Sequence, residues 1–208
     1  MNANTDDPQP SLRERRQQRT RRELVDAVLA VVADVGLSET TIDRISAESG
    51  ISRGTVYAHF PGGRDELLRA AYARLGRQLV ERTREAVLGS DDWRGRIVAH
   101  ARAMFDLAGD ARLGHFYNVS GPTLVVDGAE RGIGSGASVV SIRDALELAQ
   151  AAGEIGAEVD AGVAAMLLVG ALREAAVGVA AGAADPERAS AAFARLVEGL
   201  ALRDPDRP

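Results

Sequence analysis

Residues 40–64 read TTIDRISAESGISRGTVYAHFPGGR. Ile42, Ile45, Ser46 and Ser49 fall at i, i+3, i+4 and i+7, one face of a short helix whose two serines let a neighbouring helix come close. Gly50 stops that helix, and Ser52 is a good N-cap for a second one running to about Phe60. Val56 and Phe60 lie four apart on it and can face the first helix. Two short helices therefore meet across a tight turn. In a helix-turn-helix, the first helix crosses the phosphate backbone and the N-terminal turn of the second enters the major groove.

The residues left over once the core is assigned fit this geometry. Ser52, Arg53, Gly54 and Thr55 are small or polar and sit at the groove end, and Tyr57 and His59 follow with polar tips. A helix pair of this kind can also be a plain packing unit; the spacing, the Tyr-Ala-His-Phe run and the position near the N-terminus favour DNA. GISRGTVYAHF, followed by Arg64, Asp65, Glu66, Leu67 and Leu68, resembles the DNA-binding domain of tetracycline-repressor (TetR/AcrR-type) regulators, over residues 20–80 or so.

The resemblance implies an all-α chain: an N-terminal three-helix helix-turn-helix domain followed by a larger helical ligand-binding and dimerisation domain. It implies that Arg53 and Thr55 meet base edges, Arg53 as a bidentate fork to guanine, while Gly54 lets the backbone come close. Thr41, Tyr57, His59 and Arg64 would bond phosphates and fix register, with Ser52 in the same DNA-binding set. One departure stands out. The family commonly has a lysine near the start of its fourth helix, whereas here the corresponding charge is Arg64, one place later.

Composition bounds the rest. With 208 residues and 46% hydrophobic side chains the chain can bury a sizeable core. The net charge of −5 is unusual for a DNA-binding protein, but the acidity lies mostly after residue 65. Arg13, Arg15, Arg16, Arg19, Arg21 and Arg22 crowd into ten positions, where charge is felt within roughly 8 Å at physiological salt. They read either as a solvated arm or as an arm touching phosphates or the minor groove. There is no cysteine, hence no disulfide or thiolate metal site. No apolar run reaches the roughly 18 residues that span a bilayer, and the N-terminus lacks a signal-peptide core. The expectation is a soluble, cytoplasmic protein with no membrane partner.

Residues 1–10 read as disordered, and residues 1–19 as a basic arm that is helical from 11 if the capping box Ser11/Glu14 forms. The DNA-binding domain is placed at 20–66 and the ligand-binding and dimerisation domain at 67–208. Leu24 to Val35 carry a helical stripe ended by Gly36, and Leu68, Tyr72, Leu75 and Leu79 start a long one reaching about Val87. A helix follows Asp92 through about Ala108. Five glycines and a proline over residues 121–136 predict a loop with at most one turn of order, and GIGSG within it lacks the strand context of a dinucleotide site. Helices are predicted over Ser138 to about Ala152, Asp160 to about Ala181, and Pro186 to about Leu202.

The helix from Asp160 repeats glycine at Gly162, Gly170 and Gly178 and is apolar nearly all round except for Arg173 and Glu174, so it must be covered on more than one side. Internal packing and a seam with a second copy both satisfy that. The family resemblance implies a homodimer through the last two helices, with Phe193, Leu196, Val197 and Leu200 as the larger knobs. It also implies a small-molecule effector among the middle helices. The sparse large or polar-tipped side chains there are Tyr72, Trp93, His100, Met104, Phe105, Phe116 and Tyr117, although any of them can simply fill core. His100 and His115 have no third ligand at useful spacing. No cofactor, metal or catalytic residue is called for. The function expected is a regulator, most often a repressor in this family, released from a double-stranded DNA operator by an effector; a constitutive DNA-binding or architectural protein would explain only the first half of the chain.

Overall fold

The structure, a computed structural model, describes residues 11–124 and 128–202. The expected disorder of residues 1–10 lies outside the described residues. Among the described residues the fold is all-α, apart from one isolated antiparallel bridge between Ile155 and Ala201. The chain divides between Ala71 and Tyr72 into two compact units.

The first unit is built on helix α1 (Leu12–Val35). The capping box forms: the Ser11 hydroxyl accepts from the Glu14 amide while the Glu14 carboxylate accepts from the Ser11 amide at 2.7 Å. The six arginines from Arg13 to Arg22 therefore stand on a helix. Leu24, Val28 and Val32, fully buried, meet helix α2 (Ile42–Ser49) and helix α3 (Arg53–His59) through Ile45, Val56 and Phe60. Each fully buried side chain of this size contributes about 1.5–3 kcal/mol by leaving water. Gly50 at φ +67° ends α2 in the left-handed conformation that a side chain would strain.

Helix α4 (Gly63–Leu88) gives Leu67 and Leu68 to the core of the first unit and continues past Ala71 into the second. There α5 (Trp93–Ala108) leads through a single helical turn, α6 (Leu113–His115), to a π-helical segment, Phe116–Ser120, and a 3-10 turn, Gly121–Leu124. Three longer helices follow: α7 (Gly128–Ala151), α8 (Ala161–Ala180) and α9 (Pro186–Glu198). Asp92, Asp160 and Asp185 cap α5, α8 and α9, and Pro186 occupies the first turn of α9. Ile97, Phe105, Ile142, Leu146, Leu172 and Phe193 form the centre of this core.

Two expectations are corrected. Residues 128–136 are not loop but the start of α7. Ile142, Ala145, Leu146 and Ala149 anchor that helix, and once it is nucleated each added residue needs only propagation, so a glycine penalty of about 1 kcal/mol is survivable. Residues 125–127, the middle of the expected loop, lie outside the described residues. The second correction concerns α8, which at 20 residues and mean hydropathy 1.8 is long and apolar enough to cross a bilayer despite Arg173 and Glu174. Ala165, Leu168, Val169, Leu172 and Ala176 are nevertheless buried against the other helices, so one side of α8 belongs to the core.

Candidate nucleic-acid interface and internal cavity

The N-terminal turn of α3 is exposed from Ser52 to Thr55, with Val56 beneath it in the core. Ser52 caps the helix by accepting from the Thr55 amide, and its hydroxyl lies 3.0 Å from that of Thr55. Arg53 projects outward, with its Nε 2.6 Å from Asp43 Oδ1 on α2. Both partners are mostly exposed, so the pair is worth no more than about 1 kcal/mol. The pair engages Nε and leaves the terminal nitrogens of Arg53 without a hydrogen bond among the described residues. Tyr57 is half exposed, its ring against Gly63, where a Cβ would stand 3.2 Å from Tyr57 Cε1 and where φ is +61°. Only glycine satisfies both conditions. Thr41 caps α2, accepting from the Arg44 amide.

Two residues of the expected phosphate set are placed differently. Arg64 donates from Nε to the Thr40 carbonyl at 2.6 Å and from Nη2 to the Leu37 carbonyl at 2.7 Å, while Nη1 lies 3.6 Å from Asp65. Nε and Nη2 close the turn between α1 and α2, because two carbonyls lie within their reach, which leaves Nη1, beside Asp65, for a phosphate. His59 is half-buried with Nδ1 inside, and its carbonyl accepts from Arg21, whose guanidinium also stacks 4.0 Å above the Phe60 ring. Ser52, Arg53, Gly54, Thr55 and Tyr57 thus share one exposed face, with Thr41 at the cap of α2, while His59 and Arg64 brace it.

Within the second unit α4, α5, α7, α8 and the π-helical segment enclose a cavity of about 90 Å³. Of the seven side chains expected there, Tyr72, His100, Met104 and Tyr117 line it. Trp93, Phe105 and Phe116 do not: Phe105 and Phe116 are buried in the core, and Trp93 donates from its indole to Glu154 at 3.0 Å beneath Arg94. Size alone selected those three, and core filling claims large side chains first. Thr83, Asn118, Ser138 and Arg173 also line the cavity. Arg173 could have been found from its interruption of an apolar helix; the small polar residues carried no such signal. Tyr72 and Tyr117 stack with centroids 5.1 Å apart, and Tyr72 meets Phe116 edge-on at 6.4 Å. Burial pushes the Tyr117 hydroxyl up to about 12, with Tyr72 adding to the shift and Arg173 opposing it.

Residues 24–71 match the family model for "Bacterial regulatory proteins, tetR family". Over this segment the chain is similar to the tetR family. It is 42% identical over 55 residues to the HTH-type transcriptional regulator BetI 1 of Chromohalobacter salexigens, a match covering 26% of this chain and 27% of that protein. It therefore spans well under two thirds of the curated relatives it matches. A TetR-family transcriptional regulator from Pectobacterium atrosepticum superposes with a TM-score of 0.73 at 23% identity, over 91% of this chain and 97% of that one. The transcriptional regulator FadR from Bacillus subtilis in complex with stearoyl-CoA does so with a TM-score of 0.66 at 19% identity, over 85% and 96%. At these identities the likeness is one of fold.

The last two helices of the chain divide the expected seam. Phe193 and Val197 face the subunit's own core and are buried there, so they cannot supply an intersubunit surface. Leu200 packs partly against that core, and Leu196 is exposed. On α8, Val163, Met166, Leu167 and Val177 are exposed, with Gly170 open among them. Gly162 and Gly178 are half-buried beside the Asp160 carboxylate and the Ala184 methyl.

His100 gives the second unit a pH dependence. Its Nδ1 lies 3.1 Å from the Ser138 hydroxyl and its Nε2 3.1 Å from that of Ser141. Burial holds its pKa down to about 4. Between about pH 6.5 and that value the unfolded chain binds a proton that the folded chain does not, so stability is full above about 6.5 and falls as pH drops. The loss should approach about 3 kcal/mol near pH 4. Urea unfolding of wild type and His100→Gln at pH 7 and pH 5 isolates the effect: the wild type should lose about 2 kcal/mol more than the variant. Equal losses would assign the acid sensitivity to other groups.

Proposed function

We propose that the chain is a ligand-responsive, DNA-binding transcriptional regulator: a homodimeric repressor released from a palindromic operator by a small molecule. The observation that carries this reading is the exposed N-terminal face of α3, held over a fully buried Val56 in a domain that matches the tetR family. Arg53 reads a base edge, steadied by Asp43, while Thr41 and Tyr57 bond flanking phosphates. The cavity supports an effector, and a regulator of like fold occurs in complex with stearoyl-CoA. A constitutive DNA-binding protein would leave that polar-lined space without use.

Helix α4 is the coupling element, since it contributes Leu67 and Leu68 to one core and Tyr72, Leu79 and Thr83 to the cavity of the other unit. Dimers dock on half-sites about 34–36 Å apart per helical turn, so a few ångströms of respacing prevents simultaneous docking. To move the population from about 1:99 to 99:1 the effector needs roughly 5.5 kcal/mol of differential affinity, and operator DNA must weaken effector binding by the same coupling.

The test begins with footprinting of the neighbouring promoter and fluorescence anisotropy on the protected site. Arg53→Ala should lose about 1–3 kcal/mol and relax preference at one base pair in each half-site, whereas Tyr57→Phe should weaken specific and random DNA alike. Identical losses on both DNAs for both variants would refute the division of roles. Protection absent from every promoter tested would refute the operator reading itself.

A further inference from the structure

The charge inventory of the cavity narrows what can enter it. Among the described residues that line it, Arg173 is the one with a permanent charge, and none is an aspartate or a glutamate. Glu174, the next residue on α8, does not border the space. Arg173 is exposed while bordering the cavity, which puts it at the mouth, and it has no ion pair or hydrogen bond among the described residues. Its charge is felt at the Tyr117 hydroxyl inside.

Size and lining narrow it further. About 90 Å³ is less than the roughly 150 Å³ engineered cavity that accepts benzene, so nothing larger than a single ring enters and any substituent must reach the mouth. Leu79, Met104, Val169 and Leu172 supply apolar walls, and the stacked Tyr72 and Tyr117 present aromatic surface. A long acyl chain does not fit this space.

We infer that the cavity takes a small single-ring carboxylate, its ring against the Tyr72–Tyr117 pair and its carboxylate on Arg173. The inference rests on the effector reading above and adds the chemical class. A planar guanidinium meets a carboxylate through two parallel hydrogen bonds, a match that a neutral amide of the same shape cannot make.

The probe is benzoate, titrated calorimetrically into the full-length protein beside benzamide, a neutral ring of the same shape, and acetate, an anion without a ring. Benzoate should bind about tenfold or more tighter than either, about 1.4 kcal/mol. Arg173→Gln should abolish that advantage and leave benzamide unchanged, and Arg173→Lys, which keeps the charge, should retain most of it. Benzamide binding as tightly as benzoate, Arg173→Gln binding benzoate like wild type, or no benzoate binding at millimolar concentration would each overturn the assignment. Operator binding followed in parallel separates the two readings. Arg173-dependent benzoate binding with unchanged operator affinity refutes the effector role and keeps the site; operator release by benzamide but not benzoate refutes the carboxylate class and keeps the effector role.

Discussion

Gly170→Arg is expected to leave the chain folded and to convert the proposed homodimer to monomers. A Cβ at Gly170 meets nothing within 4 Å, and the residue is exposed, so the subunit has room for the new side chain. The same openness makes it the centre of an apolar face formed by Val163, Met166, Leu167 and Val177. If a second copy covers that face, the arginine is desolvated there with Glu174, one turn on, as its near counter-charge, which should weaken association by about tenfold or more, about 1.4 kcal/mol. Sedimentation velocity reads the change directly, with circular dichroism as the control for folding. A variant that still sediments as a dimer would move the seam off the glycine face.

Gly114→Ala is expected to have its effect on folding instead. A Cβ there would stand 2.5 Å from the carbonyl oxygens of Leu107 and Ala108, the last turn of α5, and backbone atoms cannot swing aside as a side-chain tip can. Overpacking of this kind costs about 3 kcal/mol. Gly136→Ala is the matched control: it lies in α7, is exposed, and a Cβ there meets nothing within 4 Å. That variant should gain about 0.5–1 kcal/mol because alanine has less backbone freedom to lose. Urea midpoints that shift the same way for both would show that space at Gly114 is not what the fold requires.

Two helix starts were readable from their caps, Ser11 with Glu14 and Ser52, and both caps form; Thr41, Asp92, Asp160 and Asp185 cap other helices through the same local chemistry. What was not readable depends on tertiary context. The glycines of residues 128–136 count against a helix locally, yet α7 is anchored by residues further along. The π-helical segment, in which the Gly121 amide donates to the Phe116 carbonyl, leaves no mark in side-chain periodicity. Arg64 looked like a free phosphate donor because the carbonyls it meets lie 24 and 27 residues away in sequence. Phe193 and Val197 alternate with Leu196 on a helix whose pattern shows that it is amphipathic but not which neighbour its apolar side meets.

On α3, Val56 alone is buried, with Phe60 buried just past its end, while Arg53, Gly54, Thr55, Tyr57 and Ala58 are exposed. Scaffold and reading face are therefore almost disjoint sets of residues. Exposed positions away from special contacts change stability by only about 0.5 kcal/mol either way. Arg53 and Thr55 can consequently vary over evolutionary time with little thermodynamic penalty, so, on the proposed function, a duplicated copy of this gene could acquire a new operator while keeping its fold. Val56 has no such latitude. Selection on it comes from the core, and a substitution there is felt by the whole domain whatever it binds.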